Sequence, residues 1–69
     1  MTIKKARLDV VSSSLSYAGR AAMGVATSTA GWQIKEITVS GTQTIVKFAD
    51  GNTNYDNVWD NRASLTYSE

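Results

Sequence analysis

The chain has 69 residues, with seven Lys and Arg against six Asp and Glu, a formal net charge of +1, and no cysteine, histidine or proline. A chain of that size makes one domain with a marginal core, which disulfides, metals or association usually stabilise; without Cys or His, disulfides and thiolate or imidazole metal sites are excluded, and association is the option left. The near-neutral charge lacks the concentrated positive field of a dedicated polyanion binder, and no apolar run approaches the roughly 18–20 residues that cross a bilayer.

The N-terminal Met1-Thr2-Ile3-Lys4-Lys5 is basic but runs into Ala-Arg-Leu-Asp, without the apolar core of a signal peptide, so the chain reads as soluble and unexported. Residues 3–11 alternate. Lys5, Arg7 and Asp9 fall on one side and Ala6, Leu8 and Val10 on the other, the pattern of a half-buried strand with one apolar face. Lys, Ala, Arg and Leu also suit a helix, but the Val10-Val11 pair and the loop-forming Ser12-Ser13-Ser14 favour a strand. A second alternating run sets Leu15, Tyr17, Gly19, Ala21 and Met23 on one face, with a bulge or a close neighbouring backbone expected at Gly19. Residues 24–31 have no period and read as a loop or as an arm lying on a neighbour.

Residues 32–39 form the strongest strand, rich in β-branched and aromatic residues. Its apolar positions are Trp32, Ile34, Ile37 and Val39, so the alternation slips by one. Either a bulge near Lys35-Glu36 puts all four on one side, or the strand is apolar on both faces. Ser40-Gly41-Thr42-Gln43 is the hairpin connection and residues 44–49 return, with Val46 and Phe48 sharing a face. Asp50-Gly51 is a turn signal. Tyr55, Val58, Trp59 and Arg62 then follow the spacing of one helix face, predicting a short helical turn over residues 55–62 with Asn54 or Asp56 as N-cap. Residues 64–67 alternate again as a last strand. The expected fold is a small all-β domain, a single sheet or barrel-like, built on the central hairpin. Trp32, Ile34, Ile37, Val46, Phe48 and Trp59 are its expected core, residues 32–67 its compact part and residues 1–31 extended strands or an arm reaching a neighbouring subunit.

Four candidate sites stand out. Asp50, Asn52, Asn54 and Asp56 alternate at a spacing that presents oxygens to a hard cation such as calcium. Tyr55, however, stands where an EF-hand loop requires glycine and Asn61 where it requires the bidentate glutamate, and turn chemistry accounts for the same residues. Arg62, within Trp59-Asp60-Asn61-Arg62, either reaches a partner's carboxylate or phosphate, or stacks on Trp59 or Trp32 and pairs with Asp50, Asp56 or Asp60. Lys4, Lys5, Arg7, Arg20, Lys35 and Lys47, with Tyr17 or Trp32, could line a nucleic-acid platform, but acids are interspersed among them. Catalysis is the weakest case: no His or Cys is present, no base flanks the serines, and no phosphate loop occurs, so no enzyme and no cofactor are expected.

The pattern Tyr17-x-Gly19-Arg20-Ala21, then Ala26-Thr27-Ser28 leading to Trp32-Gln33-Ile34-Lys35, then Phe48-Ala49-Asp50-Gly51, then Asp56 to Tyr67 (DNVWDNRASLTY), resembles a group of very short proteins encoded among the structural genes of tailed bacteriophages. The resemblance spans residues 17–67 and implies a setting, the virion, reached from the host cytoplasm during assembly. It implies no catalytic residue. The partners expected are a second copy or a larger virion protein, with Leu15, Tyr17, Arg20, Met23 and Arg62 as candidate contact residues. Two alternatives are a small nucleic-acid-binding barrel and a carbohydrate-binding part of a tail fibre, the latter requiring Trp32 or Trp59 at the surface.

Overall fold

The computed structural model describes residues 4–69; Ile3, the first residue of the predicted N-terminal strand, lies outside the described residues. The elements run β1 (Lys4–Ser12), β2 (Leu15–Ala22), β3 (Ala30–Ser40), β4 (Gln43–Ala49), β5 (Asn57–Val58), the 3-10 helix η1 (Trp59–Ser64) and β6 (Tyr67–Ser68). The strands pair antiparallel in one sheet of order β1-β2-β3-β4-β6, with β5 beside the N-terminal end of β3. The domain is all-β, as its composition predicts, and the sheet is open: β1 ends one side and β6 the other.

Sequence-adjacent strands pair because the connections are short. Ser13-Ser14 joins β1 to β2, Gly41-Thr42 joins β3 to β4, and the Ser12 hydroxyl accepts the Ser14 amide at 3.3 Å. The Asp50-Gly51 turn places both residues at positive φ, 60° and 68°, a conformation that Asp tolerates and Gly adopts freely. The longer β2–β3 connection is folded on itself by bonds from the Val25 amide to the Ala22 carbonyl and from the Thr29 amide to the Ala26 carbonyl.

Register decides which side chains meet, because adjacent residues of a strand point to opposite faces. Across one face run Lys5, Ala21 and Trp32; Arg7, Gly19 and Ile34; and Asp9, Tyr17, Glu36 and Lys47. The segment after β5 lies over this face and completes the core of Tyr17, Ala21, Trp32, Ile34, Ala49 and Trp59, with Leu15, Val25, Leu65 and Tyr67 packed against it. The Trp32 and Trp59 rings sit 5.5 Å apart, tilted by 38°. Trp32 donates its indole N–H to the Ala26 carbonyl at 3.0 Å, and the Asp60 amide donates to the Thr27 carbonyl at 3.0 Å, which ties the β2–β3 loop to η1.

Several expectations are corrected. Of the two readings of β3, the structure takes the strand apolar on both faces and not the bulge at Lys35-Glu36, since its pairing with β2 is continuous from Trp32 to Thr38. Parity therefore sends Ile37 away from Ile34, and Val46 and Phe48, which pair with Ile37 and Lys35, go with it. Of the expected core, Trp32, Ile34 and Trp59 are buried, whereas Ile37, Val46 and Phe48 lie on the opposite face. In β1 the apolar side, Leu8 and Val10, is the exposed one, and Lys5 and Asp9 are half-buried. Register again decides: the residues paired with Tyr17 and Ala21 must share the face of the tryptophans. Within the stretch expected as extended strands or an arm, β2 supplies Tyr17 and Ala21 to the core. The helical turn begins at Trp59 rather than residue 55, because Asn57 and Val58 are extended and pair with β3. Its N-cap is Val58, with no side-chain cap bond from Asn54 or Asp56. At Gly19 the close neighbour is a side chain, the Trp59 ring, and β2 keeps its pairing there without a bulge.

Candidate functional site

The sequence-derived candidates divide between the two faces. Tyr17 is buried, and Leu15 is half-buried against the core. Arg62 is drawn into the fold: its guanidinium lies 4.8 Å from the centre of the Trp59 ring, its Nη1 donates to the Trp59 carbonyl at 3.2 Å, and its Nε donates to Asp9 Oδ2 at 2.9 Å. The 3-10 geometry, which stacks residues i and i+3, sets Arg62 over Trp59. The carboxylate is Asp9 of β1 instead of Asp50, Asp56 or Asp60, a partner 53 residues away that no local spacing signals. Tyr67 completes this cluster by donating its hydroxyl to the Arg62 carbonyl at 2.7 Å. Burial holds the Tyr67 phenol well above its ordinary value of 10.0, with Tyr17 and Glu36 acting in the same direction and Arg62 opposing.

Asn52 uses its side chain locally. Its Oδ1 accepts the Asn54 amide at 3.0 Å, and Asp56 Oδ1 accepts from Asn57 Nδ2 at 3.3 Å. Among the described residues no three acidic side chains gather as cation ligands. The cations of the supposed platform are split: Lys5, Arg7 and Lys47 share the covered face, and Lys4, Arg20 and Lys35 share the other. Trp32 is 0% and Trp59 4% exposed, so neither is placed to stack on a sugar ring or a base.

The reading of β3 as apolar on both faces left open which residues share its second face. Its rows are Leu8, Ala18, Lys35 and Phe48, and then Val10, Ser16, Ile37 and Val46, with Val39 beyond. The loop after β4 reaches this face at its Gln33 end, where Gln33 Nε2 donates to the Thr53 carbonyl at 3.0 Å, and leaves the part bearing Leu8, Val10 and Val46 in water. Leu8 is 65%, Val10 64%, Val46 43% and Val39 42% exposed. Contiguous exposed apolar patches recur in proteins where partners, membranes or ligands bind. The charge of this face is one-signed, since Lys4, Arg20 and Lys35 lie on it while Asp9 and Glu36, the acids of the paired strands, lie on the other face. Lys35 leans its ammonium over the Phe48 ring at 5.7 Å, and Lys4 does the same to Tyr55 at 4.5 Å. Arg20 and Met23, the remaining contact candidates, are exposed, Arg20 on this face and Met23 at the end of β2. The slipped alternation of β3 signalled a strand apolar on both sides, but the rows that join it across β1, β2 and β4 depend on register, which no local pattern gives.

No family model matches the chain, and no curated protein or solved structure matches it either.

Proposed function

We propose that this chain is a non-enzymatic structural component of a bacteriophage particle, which assembles with further copies of itself or with a larger virion protein through the open sheet face. The observation that carries this reading is the exposure of Leu8, Val10, Val39 and Val46 around Ile37 on a sheet whose other face already holds the core. A single-layer sheet leaves half of its apolar side chains in water unless something packs on it, and sheets solve this by facing another layer. The phage setting comes from the resemblance of residues 17–67 to short proteins of tailed-phage structural gene clusters.

The test is incorporation. Particles of the encoding virus should contain the chain at a fixed copy number by quantitative mass spectrometry. A Val46→Lys chain, with its unfolding midpoint unchanged because Val46 is outside the core, should be left out of them. Absence of the wild-type chain from purified particles, or equal incorporation of the lysine variant, would overturn the reading.

A further inference from the structure

β1 ends the sheet, and among the described residues its outer backbone has no pairing partner. It is nine residues long and contains no proline, so it offers a row of free amide and carbonyl groups of the kind that pairs with another strand. Its cations would normally guard such an edge. In β1 they sit beside a carboxylate two residues on, in the order Lys5, Arg7, Asp9 along one face.

We infer that two copies join through this edge: their β1 strands pair antiparallel about a two-fold axis normal to the sheet, with Leu8 opposite Leu8 of the second copy and Arg7 opposite its Asp9. This rests on the assembly reading above and goes beyond it by adding a second surface, the β1 edge, with its register. Symmetry and charge select the register together. A two-fold axis normal to the sheet keeps like faces together, so only registers pairing odd with odd and even with even residues are allowed. Centring on Ala6 sets Lys5 against Arg7 of the second copy, centring on Arg7 makes two Lys5–Asp9 pairs but sets Arg7 against itself, and centring on Asp9 opposes two carboxylates. Like charges directly opposite one another destabilise a sheet. Centring on Leu8 avoids all three and makes two Arg7–Asp9 pairs instead.

The groups needed are free to do this. The Arg62–Asp9 bridge is the ion pair formed among the described residues, so Arg7 has no carboxylate of its own, and it is exposed. Asp9 meets Arg62 through Oδ2, and a carboxylate accepts several bonds, so Oδ1 remains for the incoming arginine. On the other face the same register sets Ala6 against Val10, so an apolar row of Val10, Leu8 and Ala6 from both copies runs across the junction and makes one continuous open face from two. Affinity then comes from the new backbone ladder and that row, and the exposed ion pairs fix the register.

The chain has no cysteine, so one introduced thiol reports its own neighbour. Under mild oxidation Leu8→Cys should cross-link into a dimer, since directly opposed residues place their Cβ atoms about 4.5–5.5 Å apart. Val46→Cys, far from the edge on β4, should not. Arg7→Asp turns both attractive pairs repulsive without touching the core or the open face, and should raise the dimer dissociation constant by about tenfold or more in light scattering. Cross-linking of Val46→Cys in preference to Leu8→Cys, or dimers unaffected by Arg7→Asp, would place the contact on the open face and overturn the edge register while leaving the assembly reading intact. A wild-type chain that stays monomeric at every concentration also overturns the edge pairing, and particle incorporation then decides the assembly reading separately.

Discussion

Gly19 is the residue on which the tryptophan pair depends. A Cβ built there would stand 2.5 Å from both Cε3 and Cζ3 of Trp59 and 3.1 Å from Cε3 of Trp32, so the Trp59 ring comes this close to the backbone only because no side chain intervenes. Gly19→Ala should therefore cost about 1–3 kcal/mol, the usual range for forcing extra volume into a packed site, read as a lower urea midpoint with red-shifted tryptophan emission. An unchanged midpoint would mean that the ring moves aside at no cost. Tyr67 couples stability to alkaline pH. Its phenol titrates higher in the folded chain than in the unfolded one, so the folded state favours the neutral hydroxyl that donates to the Arg62 carbonyl. The stability this contributes is complete below the ordinary value of 10.0 and is lost as the pH rises above it toward the folded value. Unfolding midpoints should thus fall steeply in alkali for the wild type and less for Tyr67→Phe. The variant should also lose about 1 kcal/mol at neutral pH with the hydrogen bond. Parallel alkaline profiles for the two proteins would exclude Tyr67 as the cause. Gly19 was visible in the sequence as a close approach, because a glycine inside an alternating run weakens the strand and is kept where a side chain would be in the way. The identity of its neighbour was not, since Trp59 lies forty positions away in another element.

β1 teaches the same lesson for whole elements. Its alternation announced a strand correctly, but the apolar side was the one left in water, because register with β2 and not hydropathy assigned the faces. Period two gives the contrast between two sides; only the partner strand says which side meets the core. The β3–β4 hairpin and the positive-φ turn at Asp50-Gly51 were legible because their signals are local. The 3-10 helix was misplaced by four residues because Asn57 and Val58 are claimed by tertiary pairing with β3. Across this arrangement, Asp9 and Arg62 form the tie between β1 and η1. Both side chains are partly exposed, so a double-mutant cycle of Asp9→Ala and Arg62→Ala should give a coupling of about 0.5–1 kcal/mol, reduced by salt. Arg62→Lys should be destabilising by about 1–2 kcal/mol, because an ammonium cannot hold the Asp9 carboxylate and the Trp59 carbonyl in one plane while lying on the Trp59 ring. If Lys proves equivalent to Arg, the guanidinium geometry is incidental and the site is only a point charge.

The whole molecule is a meander with one layer laid across it. The β1–β2, β2–β3 and β3–β4 pairings join neighbours in sequence, whereas the cover over Trp32 comes from residues 57–67 at the far end of the described chain. Removal of everything after residue 56 should leave the hairpins able to pair but expose Trp32 and Ile34, producing an aggregating, poorly protected sheet. Retained solubility with native-like emission from Trp32 would refute that division of labour. The late cover also sets an order of events during synthesis. Until Trp59 has left the ribosome, a growing chain has both apolar faces in water, the one that residues 57–67 will close and the one that bears Leu8, Val10 and Val46. Closing the first is the step that makes the two faces unlike, so they become distinguishable only once the segment that carries Trp59 has been made.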